Sequence, residues 1–185
     1  MKDVYELFDC GQRLFMKGKY RDSIEKFTQT LQAGHEPGMV CLSRGVAYLK
    51  LNERHEAIKD FDRAIEIDGG NASAFHYRGT AHMLQEDYGR AVADFSRAIE
   101  IHPGHRAAIL ARGVSYVNMG RTEEGSRDIK RAMVCVEAAM QGFSDMNGWR
   151  TQLDKVIAAM EGQRRSQADL TEKEIETLKA WMKAA

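Results

Sequence analysis

The 185 residues carry 27 basic and 27 acidic side chains, so the chain has no net charge, and 43% of its residues are hydrophobic. A chain of this length buries a core without disulfides or metals, and its lack of a basic excess argues against nucleic acid, whose phosphates call for clustered positive charge. No apolar run approaches the roughly 18 residues that a membrane span requires, so neither a membrane nor nucleic acid is expected as a partner.

The opening stretch, MKDVYELFDCGQRLF, carries acids and lacks the apolar core of a secretory leader. The three cysteines, Cys10, Cys41 and Cys135, are odd in number and scattered. A disulfide framework is therefore not expected, and a reducing, cytoplasmic setting is. Pro37 and Pro103 are the only prolines, which leaves long stretches free to be helical.

From Val4 onward the chain repeats itself with a period of 34 residues. Four units tile it: 4–37, 38–71, 72–105 and 106–137. The match is plainest between GMVCLSRGVAYLKLNERHEAIKDFDRAIEIDGG, from Gly38, and ASAFHYRGTAHMLQEDYGRAVADFSRAIEIHPGH, from Ala72. Each unit predicts two helices, A and B, joined by a turn. The eighth position is always glycine (Gly11, Gly45, Gly79, Gly113), where the two helices cross too closely for a side chain. The twentieth is small (Ser23, Ala57, Ala91, Gly125), and the twenty-fourth is large and apolar (Phe27, Phe61, Phe95, Ile129). The turns hold Gly18, Asn52 and Gly120, which tolerate a left-handed backbone, and Glu86, which does not readily do so. Pro103 closes the third unit. Glu137 stands in the fourth unit where the third has Pro103, so that unit's B helix is expected to run on to about Gln141.

Two positions covary within the chain. The seventh is Arg44, Arg78 and Arg112, and the twenty-third is Asp60, Asp94 and Asp128, while the first unit loses both, with Cys10 and Lys26. Guanidinium–carboxylate pairs between A and B helices follow, within a unit or between neighbours.

Past the repeats, Trp149, Leu153, Val156, Ile157 and Met160 mark one face of a helix expected over 142–161, which would cap the array. A polar linker follows at 162–169. Thr171 and Glu174 form a capping box for an amphipathic helix at 170–185, with Ile175, Leu178, Trp181 and Met182 on one face. That helix has three open fates: packing on the cap, folding back into the chain's own groove, or docking on a second copy or a partner.

These fixed positions resemble the tetratricopeptide repeat. The resemblance implies an all-α fold: a right-handed α-solenoid of four helix–turn–helix units with C-terminal capping helices. It also implies a concave face, built mainly by the A helices, that binds extended or helical peptides. The family's ligand positions map here to Tyr5, Phe8, Gln12 and Phe15; Leu42, Ser43, Val46 and Leu49; His76, Tyr77, Thr80 and Met83; and Leu110, Val114 and Val117. Met16, Met39 and Lys50 flank them, as does Asp9. Helical geometry agrees that this set lies away from the core positions. The face is apolar, with Phe8, Gln12 and Ser43 where the family's carboxylate-gripping members carry lysine and asparagine.

His102 and His105 in HPGH lack a nearby carboxylate or cysteine to complete a metal site. No phosphate loop, nucleophile elbow or metal-protease motif occurs. No cofactor, metal or catalytic residue is expected, and an enzyme is not. The expected function is a protein–protein interaction module, an adaptor or scaffold that takes an apolar or amphipathic peptide or helix of another protein. The alternatives are a chaperone-like holder of an apolar client segment and a self-associating unit, a homodimer built through the C-terminal helix.

Overall fold

The computed structural model describes residues 2–34 and 37–140, and among these are eight α-helices and no strand. They are α1 (Lys2–Met16), α2 (Tyr20–Gln32), α3 (Pro37–Lys50), α4 (Arg54–Ile67), α5 (Ala72–Leu84), α6 (Tyr88–Ile101), α7 (Arg106–Asn118) and α8 (Thr122–Met140). The chain divides after Gly104 into two compact units, the first holding α1–α6 and the second α7 and α8. The cap expected over 142–161, the linker at 162–169 and the helix at 170–185 lie outside the described residues. No helix among the described residues is long and apolar enough to cross a membrane.

Consecutive helices pack as antiparallel pairs: α1 on α2, α3 on α4, α5 on α6, α7 on α8. Each B helix buries a stripe three and four residues apart, such as Ala57, Asp60, Phe61 and Ala64 of α4, with one aspartate inside the stripe of α4, α6 and α8 and most other charges turned outward. Stripe residues Phe27, Phe61, Phe95 and Ile129 are among the largest fully buried side chains. Each lies against the helical glycine of its own pair. A β-carbon on Gly11, Gly45 or Gly79 would stand 2.7, 2.6 or 2.9 Å from the phenylalanine ring, and one on Gly113 would stand 2.9 Å from Ile129.

The turn within each pair is the same four times. Gly18, Asn52, Glu86 and Gly120 adopt positive φ of 73°, 63°, 62° and 78°. The next residue's N–H then reaches back to the carbonyl five residues earlier, as in Lys19 to Leu14 at 2.9 Å and Asp87 to His82 at 3.0 Å. Glu86, which the sequence sets apart, takes the same conformation, at a strain of about 1 kcal/mol that this bonding offsets. N-terminal caps add to the second half of the array: Asn71, Asp87 and His105 accept from Ala74, Arg90 and Ala108 N–H.

The close crossing makes a sharp prediction. Gly45→Ala forces a methyl group into the Phe61 ring and is expected to cost about 2 kcal/mol in urea unfolding, whereas Gly70→Ala, in an exposed loop and without such a ring, should cost much less.

Candidate functional site

In the first unit the A helices are neighbours, α1 against α3 and α3 against α5, so their outward residues share one face. Tyr5 is 56% exposed and Gln12 is also exposed. Phe8, Phe15, Leu42, Ser43, Val46, Leu49, His76, Tyr77, Thr80 and Met83 are half-buried. They rest on the core: the Phe8 ring lies 5.6 Å from Phe27, and Tyr77 stacks on Phe61 at 6.0 Å. Leu42, Val46 and Leu49 pack on the cluster of Ala57, Phe61 and Ala81. His76 sits between Tyr77 and Phe95, at 5.2 and 5.7 Å.

Two hydroxyls of this face are satisfied within their own helices. Ser43 Oγ donates to the Met39 carbonyl and Thr80 Oγ1 to the His76 carbonyl, both at 2.9 Å. Beside the exposed Gln12, the face carries the side chains of Tyr5, Phe8, Phe15, Leu42, Val46, Leu49, Tyr77 and Met83. Met16 and Met39, at 84% and 51% exposure, extend it beyond the residues expected to bind; their place at the thirteenth and second positions of the repeat is the signal that marks them. In the second unit, Leu110 and Val117 are half-buried, but Val114 is 3% exposed. Val114 is thus a core residue and is not surface that a ligand reaches.

The face is braced from behind by the arginines of the seventh position. Arg44 Nε and Nη2 donate to both oxygens of Asp60, at 2.8 and 2.7 Å, and Arg78 does the same to Asp94, at 2.9 and 2.6 Å. In the second unit Arg112 forks onto Asp128 at 2.6 and 3.0 Å. These bidentate bonds push each guanidinium's pKa further up, chiefly through the hydrogen bonds to the carboxylate. The third nitrogen crosses to the preceding repeat: Arg44 Nη1 meets Thr28 Oγ1 at 3.0 Å, and Arg78 Nη1 meets Asp62 at 2.6 Å. Covariation reveals the first partner of each arginine but not the second, because threonine and aspartate at one register share no chemical type.

Two groups behind the face are titratable. Burial pushes the Cys41 thiol up, and Asp60 adds to the effect, so Cys41 is a protonated core residue rather than a nucleophile. His82 is buried, with Nε2 3.9 Å from Asp94 and Nδ1 without a hydrogen-bond partner. Desolvation holds its pKa below the ordinary histidine value, and Arg90 and Arg78 act in the same direction against Asp94 and Asp87. Among the described residues no group of three or more His, Cys, Asp or Glu side chains is placed to hold a metal ion.

The family model for the tetratricopeptide repeat matches residues 9–72 and 42–106, together more than half of the chain. Sperm-associated antigen 1 of Mus musculus is 33% identical over 66 residues, which are 36% of this chain and only 7% of that protein. The crystal structure of MamA superposes with a TM-score of 0.70 at 22% identity, covering 75% of this chain and 81% of that one. The second TPR domain of human RPAP3, solved with the HSP70 peptide SGPTIEEVD, gives 0.57 at 30% identity, covering 60% of this chain and 97% of that one. The fold is an all-α helical-repeat solenoid.

Breaking one brace leaves its partner charge buried. Asp60→Ala is expected to cost about 3 kcal/mol in urea unfolding, while the double change Arg44→Leu with Asp60→Leu costs less, because no lone charge remains. Acid should find His82. Between its lowered folded pKa and the unfolded value of 6.5, the unfolded chain takes up a proton that the folded one refuses. Stability is therefore full above pH 6.5 and falls as the pH drops below it. The melting temperature of His82→Gln should change less than that of the parent between pH 7.5 and 5.5.

Proposed function

The chain belongs to the tetratricopeptide-repeat family, and on that premise we propose that it is a protein–protein interaction module whose A-helix face takes an apolar or amphipathic peptide or helix. The observation that carries this reading is the face itself. The Ser43 and Thr80 hydroxyls are spent on their own helix carbonyls, while Tyr5, Met16 and Met39 stand in solvent beside half-buried Phe8, Leu42 and Tyr77. A helix with residues at i, i+3, i+4 and i+7 matches such a surface. The RPAP3 domain holds a peptide that ends in EEVD; here Phe8, Gln12, Ser43, His76 and Thr80 offer no permanent cation to an acidic end of that kind.

An adaptor role within an assembly is the function we infer. The exposure of Met16 and Met39 favours a second reading, a holder of apolar client segments, because methionine adapts to varied apolar partners. A cytoplasmic setting fits the free thiols of Cys10 and Cys41.

Fluorescence anisotropy on the full chain tests the proposal, with one labelled amphipathic helical peptide and one labelled SGPTIEEVD peptide. The amphipathic peptide should bind and the acidic one should not. Tyr5→Ala combined with Met39→Ala, both in exposed positions, should weaken binding about tenfold with an unchanged melting temperature. Tight binding of the acidic peptide, or full affinity in the double variant, would overturn the reading. A mass twice that of one chain, with neither peptide bound, would favour the self-associating unit instead.

A further inference from the structure

The first two repeat junctions are built to one plan but not to one strength. Thr28 and Asp62 hold the same register in successive B helices, α2 and α4, and each receives the outer nitrogen of the following repeat's arginine. At the second junction that bond joins two charges, Arg78 and Asp62, at 2.6 Å. At the first it runs from Arg44 to a neutral hydroxyl at 3.0 Å, and that hydroxyl already donates to the Ile24 carbonyl at 2.8 Å. The first repeat also lacks a bidentate pair of its own, since Cys10 and Lys26 stand where the next repeats carry arginine and aspartate. The amine of Lys26 bonds instead to Gln29 within α2.

We propose that α1 and α2 form a detachable edge of the binding face, opening as one hairpin while α3–α6 stay closed, and that residue 28 sets how readily they open. Charge-assisted hydrogen bonds exceed neutral ones, and the ion pair that crosses the first junction, Arg21 to Glu53, is long at 3.7 Å and solvent-exposed at the arginine, so the second junction holds where the first gives way. Because α1 carries Tyr5, Phe8, Gln12 and Phe15, opening would remove one wall of the face. This last consequence rests on the proposed peptide-binding role; the opening itself does not.

Native-state hydrogen exchange of the full chain, read by mass spectrometry without any ligand, tests the opening. Amides of α1 and α2 should exchange faster than those of α3–α6. Position in the array alone alters exchange, so the decisive result is the dependence on residue 28. Thr28→Asp, which copies the second junction, should slow exchange in α1 and α2 about threefold and leave α5 and α6 unchanged. Thr28→Val, which removes the acceptor, should speed exchange in the same two helices. No change in α1 and α2 with either variant, or an equal change in all six helices, would overturn the proposal. Slowed exchange in Thr28→Asp with unaltered affinity for the amphipathic peptide would keep the detachable edge and count against the binding face.

Discussion

The whole array depends on one close approach. In every repeat an aromatic or branched side chain of the B helix lies against a glycine of the A helix, at a distance where even a methyl group would collide. This contact sets how closely the two helices pack and therefore how far the outer surface of the A helix stands from the core. Small residues at Ser23, Ala57, Ala91 and Gly125 extend the same intimacy to the facing helix. Ser23 also uses its buried hydroxyl, donating to the Gly11 carbonyl at 2.8 Å, which ties the first pair together where it lacks an ion pair.

The arginine forks build on that spacing. A guanidinium can reach both oxygens of a carboxylate on the facing helix only if the helices are held at fixed distance and rotation. Once in place, the fork has a nitrogen left over, and at the first two junctions this nitrogen points across to the preceding B helix. One side chain thus closes a repeat upon itself and couples it to its neighbour. Aromatic rings lie close to these guanidinium groups, with Phe75 5.5 Å from Arg78 and Tyr48 6.0 Å from Arg44. In a repeat protein, stability is a sum of such internal and neighbour terms, so unequal neighbour terms make some repeats open before others.

The candidate face follows from the same geometry. Its residues do not form a loose hydrophobic strip on the surface: Phe8, Leu42, Val46 and Tyr77 keep their inner edges on the core and offer only their outer edges. Side chains held against the core in this way have less freedom left to lose in any contact that their outer edges make. Flexible methionines at the margin, Met16 and Met39, supply the adaptable part.

The period, the helix pairs, the glycine crossings and the arginine–aspartate forks were all legible in the sequence, because each rests on residue type at a fixed spacing and recurs in several copies. Repetition turns a weak local preference into a pattern. What the tertiary structure alone decided is of another kind. It buried Val114 while leaving its equivalent Gln12 exposed, since burial depends on what a side chain meets and not on its place in a repeat. It gave Glu86 the left-handed turn of its glycine counterparts, because the hydrogen bonds of the whole turn outweigh one residue's preference. And it joined Arg44 to Thr28 and Arg78 to Asp62, contacts between repeats whose partners share a location in space and no common chemistry in the sequence.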